Sequence, residues 1–240
     1  MYKISPYNIV TYMKCPKRSL YSKHFVHSPR PYYLLIRKII QSVYVRFAKS
    51  GIVPTWKAVR SIATRSLEAA LPNLVNKPVK VENLLVNVYR WYKTHLLGSH
   101  CFPGLVNLPL LLELGHSVTL VDSIPIVIFS ENIELVDFKE VPDKNKYRGY
   151  QNFKVKGDFE AQLRTWAFWK CSNILPTKYS RVIIGTTGIK IVTVNVDRKM
   201  LENTIEPITK HVVNGIQQGI YYRSISEQCN SCPFLQQCQP

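Results

Sequence analysis

Long apolar runs, internal repeats and low-complexity linkers are all missing from this chain of 240 residues. A membrane helix takes about 20 consecutive apolar residues, and the stretch LVNLPLLLELG at 105–115 is too short, broken by Pro109 and Glu113. The opening MYKISPYNIVTYMK interrupts its apolar positions with Lys, Pro, Asn and Lys, so no secretory signal is expected there. A cytoplasmic, reducing location is the expectation, which disfavours disulfides. Acidic residues are also scarce: 15 Asp and Glu stand against 32 Lys and Arg, a formal charge of +17. Such an excess attracts a polyanion, and nucleic acid is the partner expected. The basic residues are dispersed rather than gathered on one amphipathic helix, which argues against an anionic membrane surface.

What the chain does have is an uneven distribution of six cysteines. Cys15 stands near the start, and Cys229, Cys232 and Cys238 close the chain in the spacing Cys-x2-Cys-x5-Cys. Short spacings let one backbone turn aim several sulfurs at one centre, and four thiolates suffice for a metal site, whether zinc or an iron–sulfur cluster. Closure cost grows only logarithmically with loop length, so the distance between Cys15 and the others is no obstacle to a clasp. Metal binding would then be part of folding. Cys101 and Cys171 lie alone among apolar neighbours and read as core residues.

Along the chain, Ser5-Pro6 reads as an N-cap and first helical position, opening a helix over 7–13 that Cys15-Pro16 ends before another begins. Helical spacing recurs over 32–49, 56–70 and 79–97, so the first hundred residues read as mostly helical. From about 117 the pattern becomes SVTLVDSIPIVIF, a turn at 130–132 and IELVDFKE, a hairpin. A helix over 158–172, a second hairpin around Gly188 and a last helix interrupted by Pro207 follow. The fold class is α/β, a mixed sheet flanked by helices, organised as one domain over 1–240 with a helical part (1–100), an α/β core (101–200) and a closing helix with the cysteine cluster (201–240).

The chemistry is expected in the first hairpin. Alternation along IELVDFKE puts Asp137 and Lys139 on the face shared by Ile133 and Leu135, and antiparallel pairing about the turn brings Asp122 opposite the 137–139 stretch. Pro125 implies an edge or bulge in the first strand. Two carboxylates can hold Mg²⁺ or Mn²⁺ through hard oxygens, and a lysine beside them can orient water or stabilise charge on a phosphodiester undergoing hydrolysis.

Together these segments resemble the RecB-like branch of the PD-(D/E)xK nucleases in its iron–sulfur form. The resemblance includes the small stand-alone CRISPR-associated nucleases, their viral relatives and the nuclease domain of AddB. It is carried by ISPYNIVTYMKCPKRSLY, LVDSIP, VDFKE, QLRTWAFW and GIQQGIYYRSISEQCNSCPFLQQC. It implies a restriction-endonuclease-like core in which Asp122 and Asp137 bind Mg²⁺ or Mn²⁺, Lys139 assists the water and Gln162 supports the site. It also implies a 4Fe–4S cluster on Cys15, Cys229, Cys232 and Cys238.

Two departures stand out: Leu120 occupies the place of a glycine two residues before the first acid, and the early helix offers Gln41 where many members carry a metal-binding His. His95, His100 and His116 are candidate substitutes, and Glu113 could reach the metal but reads as a surface turn residue. Trp166 and Trp169, at helical spacing, read as core rather than base-stacking residues, whereas the alternating lysines and aromatics of 143–158 suit single-stranded nucleic acid. The activity implied is a metal-dependent deoxyribonuclease acting on single-stranded DNA or DNA ends, with CRISPR adaptation or recombination proteins as partners. The alternatives are an inactive nucleic-acid-binding adaptor of the same fold and a zinc-binding regulator.

Overall fold

The computed structural model describes residues 2–22, 55–70, 86, 89–90, 93, 105–115, 118–129, 131–141, 157–185 and 188–238. The segment 32–49, most of 79–97, the 143–156 part of the basic loop, Gln41, His95, His100, His116 and Cys101 lie outside the described residues. Among the described residues, no helix is long and apolar enough to cross a membrane.

The chain begins with a short strand β1 (Tyr2–Ile4), followed by α1 (Pro6–Lys14) and α2 (Pro16–Ser22). Ser5 caps α1 reciprocally: its Oγ accepts from the Asn8 backbone N–H at 3.3 Å, and its own N–H donates to Asn8 Oδ1 at 2.8 Å. Cys15 is extended between the two helices, where the proline that follows it forbids helical continuation. Helix α3 (Trp56–Ala70) falls where the sequence periodicity places it, and residues 86, 89, 90 and 93 are helical as well.

The central element is a six-stranded mixed sheet, built from β1, β2 (Leu105–Glu113), β3 (Val118–Phe129), β4 (Ile133–Val141), β5 (Lys178–Gly185) and β6 (Gly188–Asn195). Two strands are corrections to the sequence reading, which begins the sheet at about 117. β1 pairs in parallel with Val118–Leu120, and β2 runs antiparallel along β3 from Leu105↔Val127 to Glu113↔Thr119. Pro109 is tolerated in β2 because, among the described residues, the strand pairs with β3 alone, leaving one edge that needs no N–H. The hairpin closes at Phe129↔Ile133, where the sequence reading expects it, and β4 then pairs in parallel with β5 and β5 antiparallel with β6.

Helix α4 (Phe159–Ser172) connects β4 to β5 and packs on the sheet together with α1. Its N-cap is Asp158, whose Oδ1 accepts from Ala161 N–H at 3.3 Å, and it ends at Asn173 in the left-handed conformation, φ 58°. After β6 the chain forms α5 (Arg198–Met200), passes through a π-helical turn (Leu201–Ile205) and continues as α6 (Glu206–Gln217). Pro207 does not break this helix: it follows the π-helical turn, which closes with Glu206 N–H donating to the Leu201 carbonyl, and the chain stays helical past it. Ile9, Leu120, Ile124, Leu135, Leu163, Ala167, Ile183, Leu201 and Val213 are all buried in the core between sheet and helices.

Trp166 is 3% exposed in that core, and its indole Nε1 donates to Glu206 Oε2 at 3.2 Å. Glu206 also takes Lys210 and Lys170, and these hydrogen bonds, Lys210's foremost, hold its carboxyl at about 2 despite the opposing effect of burial. Trp169 is half-buried with Lys170 and Arg198 over its ring, so both tryptophans pack as the helical spacing implied. Cys171 departs from expectation. It is exposed at the end of α4, donating to the Leu111 carbonyl at 3.5 Å, because the apolar face of the helix turns away from it.

The chain ends meet against α6. Tyr12 Oη donates to the Ile220 carbonyl at 2.6 Å, Lys17 N–H to Tyr222 O at 3.0 Å and Tyr21 Oη to Gln237 O at 3.0 Å. Gly215 of α6 lets Tyr12 approach: a Cβ there would stand inside contact distance of the Tyr12 hydroxyl and 3.1 Å from its Cζ. Gly215→Ala should therefore destabilise by about 1–3 kcal/mol through overpacking, outweighing the roughly 1 kcal/mol by which Ala is the better helix former. Denaturant unfolding measures this directly, and an unchanged or raised midpoint would contradict it.

Candidate active site and cysteine cavity

β2 occupies one edge of β3 throughout, so β1 and β4 share the other edge, β1 at Val118–Leu120 and β4 at Ile126–Phe129. The β3–β4 ladder stops at Ile126↔Val136, one residue short of Pro125, which has no N–H to donate. Beyond that point β4 stays with β5, pairing Asp137↔Arg181 and Lys139↔Ile183. The strands thus splay into a fork, with Asp122 on one tine and Asp137 on the other. Alternation turns Leu120, Asp122 and Ile124 of β3, Leu135 and Asp137 of β4, and Tyr179, Arg181 and Ile183 of β5 toward the helix-covered face. Polar groups replace apolar ones at the open end of an otherwise hydrophobic layer.

Helix α4 lies across this fork and lowers Arg164 into it. Arg164 Nε donates to Asp122 Oδ2 at 2.6 Å, Nη1 to Asp137 Oδ2 at 2.9 Å and Nη2 to Glu160 Oε1 at 2.8 Å. Asp137 is 4% exposed and has further donors: Tyr179 Oη at 3.0 Å and Arg181 Nη2 at 3.2 Å on Oδ2, and the Phe138 N–H at 2.8 Å on Oδ1. Arg181, 2% exposed, also pairs with Asp158, the α4 N-cap.

Burial alone would push the Asp137 carboxyl up; the guanidiniums of Arg164 and Arg181, with the Tyr179 hydroxyl and the Phe138 amide, overcome it and hold the pKa below the ordinary carboxylate range. Burial, reinforced by the Asp137 charge, pushes Tyr179 far above its usual range, so it acts as a neutral donor. Both arginines are held protonated: burial opposes their charge, but the neighbouring carboxylates raise their pKa values.

The residues singled out from sequence fall into three groups. Asp122 and Asp137 meet on one guanidinium, Gln162 is buried at 4% exposure on α4, and Lys139 lies on β4 two residues after Asp137. Glu113 is the exposed last residue of β2, as its surface reading implied. Sequence reasoning missed Arg164, Arg181, Tyr179, Glu160 and Asp158. The Glu160–Arg164 spacing on a helix was a visible signal for one pair. Arg181 could be found only by knowing that β5 lies beside β4 in parallel register. Arg164 stands between the acids, and among the described residues no three His, Cys, Asp or Glu side chains converge closely enough to hold one metal ion.

At the far end of α1, Cys15, Cys229, Cys232 and Cys238 line one cavity. A 3-10 turn (Glu227–Ser231) carries Cys229, Cys232 caps it, and the one-turn α7 (Leu235–Cys238) delivers Cys238. Phe234, 1% exposed, packs against Tyr21 at 5.7 Å between ring centroids and closes the apolar side. Arg18, Arg223 and Ser224 also face the cavity, and Arg18 Nε is buried with no hydrogen-bond partner among the described residues.

No protein-family model and no curated protein matches the chain. Among solved structures, a protein of Eubacterium rectale described as a candidate exonuclease superposes over 96% of this chain and 86% of its own, at 11% identity and TM-score 0.57. SSO0001 superposes over 98% of this chain and 85% of its own, at 14% identity and TM-score 0.47, a match too loose to support any conclusion. At such low identity the Eubacterium rectale likeness is one of fold, and it agrees with the six-stranded mixed sheet and flanking helices of a restriction-endonuclease-like core.

Proposed function

We propose that the chain is a metal-dependent deoxyribonuclease of the PD-(D/E)xK type, acting on single-stranded DNA or DNA ends, with a structural 4Fe–4S cluster. One observation carries the reading: the fork between β3 and β4 brings Asp122 and Asp137 onto a single cationic group, separating them from the apolar layer around them. The fold likeness to a candidate exonuclease and the charge of +17 support it. Carboxylate oxygens already gathered on a cation are a donor set suited to Mg²⁺ or Mn²⁺, hard ions that take oxygen ligands. Such an ion supplies Lewis acidity toward a phosphodiester and acidifies water. Asp122 and Asp137 would hold it, Lys139 would orient the attacking water and stabilise the charge developing on phosphate, and Gln162 would support the site from α4. Arg181 and Tyr179 keep Asp137 ionised and fixed.

The cysteine cavity fits a cluster on two counts. Four thiols surround a space rather than a point, as a cluster that gives each thiolate its own iron requires. Arg18 and Arg223 line the same cavity and would offset the anionic charge of a cluster and its thiolates.

The second reading, an inactive DNA-binding adaptor with CRISPR adaptation or recombination proteins as partners, is favoured by one feature: Arg164 fills the space between the acids. Anaerobically purified protein, incubated with end-labelled single- and double-stranded DNA and Mg²⁺ or Mn²⁺, separates the two. Cleavage is expected, falling by about 10²-fold or more in Asp122→Asn and in Lys139→Ala, the scale of losing one electrostatic or proton-transfer group. Binding without cleavage would establish the adaptor, and wild-type rates in both variants would remove the proposed site.

A further inference from the structure

Arg164 commits all three guanidinium nitrogens to carboxylates from three elements: Asp122 on β3, Asp137 on β4 and Glu160 one turn earlier on α4. Its side chain is 16% exposed, against 3% for Arg181, which is locked between Asp137 and Asp158 beneath α4. The two arginines therefore differ in freedom although both touch the same Asp137 oxygen.

Charge counting shows what this difference permits. Asp122, Asp137, Asp158 and Glu160 carry four negative charges and Arg164 and Arg181 two positive ones, a formal balance of −2 among these described side chains. Withdrawing Arg164 with nothing in exchange leaves −3 in a partly desolvated fork, which is unfavourable. Exchanging it for a divalent cation leaves −1. A guanidinium released at that spot is a planar fork matched to phosphate oxygens, and Glu160 on the same helix holds it near the site.

Resting on the nuclease reading above, we propose that Arg164 is a displaceable counter-ion: the divalent cation takes its place on Asp122 and Asp137, and the freed guanidinium turns to the DNA backbone. Metal loading thereby creates a phosphate contact that the metal-free protein withholds. Arg164 is in this sense a positioning residue that ties substrate grip to metal occupancy.

The test uses the anaerobically purified full chain. Mn²⁺ binding without DNA, followed by electron paramagnetic resonance, is expected to tighten by about tenfold or more in Arg164→Gln, because an ion pair no longer has to be broken. Single-stranded DNA binding is then titrated against salt, with Ca²⁺ in place of the reactive metal. With Ca²⁺ the wild-type log–log slope should be steeper than that of the variant by about 0.7, one phosphate contact on a single strand, and the slopes should agree in EDTA.

Should Arg164→Gln unfold, Arg164→Lys serves instead, since one ammonium spans fewer of these oxygens and should compete with Mn²⁺ less well than the native guanidinium. A folded variant that binds Mn²⁺ no more tightly than wild type, or matching salt slopes with Ca²⁺, would overturn the inference while wild-type Mn²⁺ binding and cleavage left the nuclease reading intact. A wild-type chain that binds no Mn²⁺ would overturn both.

Discussion

Asp137→Ala is expected to cost about 3–5 kcal/mol of folding stability, in addition to any loss of activity, because it strips the shared anion from two arginines and leaves Arg181 with Asp158 as its one carboxylate partner among the described residues. Few single changes reach that size, and it is a large share of the 5–15 kcal/mol typical of a folded domain. The effect has a pH signature. Asp137 has a depressed pKa in the folded chain, so its contribution is fully present above the ordinary carboxylate range and is lost as pH falls through the depressed value. The gap between wild type and Asp137→Ala in urea unfolding should accordingly be widest near neutrality and shrink in strong acid. Equal stabilities at pH 7 would mean that the buried network does not hold the fork together. For enzymology the consequence is practical: Asp122, bound only through Arg164 among the contacts described, is the cleaner probe of catalysis.

Cys15→Ser is expected to have the second large effect. If the four thiols hold a cluster, binding and folding are coupled, and losing one ligand should strip iron from the anaerobic protein, bleach its brown colour and lower its melting temperature. Cys15 joins α1 to α2 while the other three belong to the closing segment, so the loss also loosens a contact between the two segments to which Tyr12, Lys17 and Tyr21 contribute one hydrogen bond each. Cys171→Ser supplies the control: that thiol is exposed and outside the cavity, so iron content should not change. Full iron and an unchanged melting temperature in Cys15→Ser would exclude the cysteine clasp.

Much of the fold was legible because local signals agreed with tertiary demands. Ser5 followed by Pro6 marks a helix start in any context, and the expected capping is what the chain adopts. The turn at 130–132 sits between two β-branched runs, and β3 and β4 follow from it. The two missed strands have identifiable causes. Tyr2–Ile4 is too short to show a period, and Leu105–Glu113 carries Pro109 and a leucine run that suits several structures, becoming a strand through its pairing with β3. Cys171 was assigned to the core from apolar neighbours in sequence, but the helix surface sorts residues by angle rather than adjacency.

Alternation and turn position are short-range properties, and they put one acid on each strand of an apolar hairpin. Spacing at one end and a lone cysteine near the other also single out the four cysteines that the fold brings to one cavity. What stands between the acids follows from packing between distant segments. Arg164 and Arg181 reach Asp137 from a helix and a strand that are 27 and 44 residues away in sequence, across a crossover whose parallel register no local pattern reveals. A strand's period tells which face a carboxylate takes; the charge that meets it there depends on which distant element packs against that face.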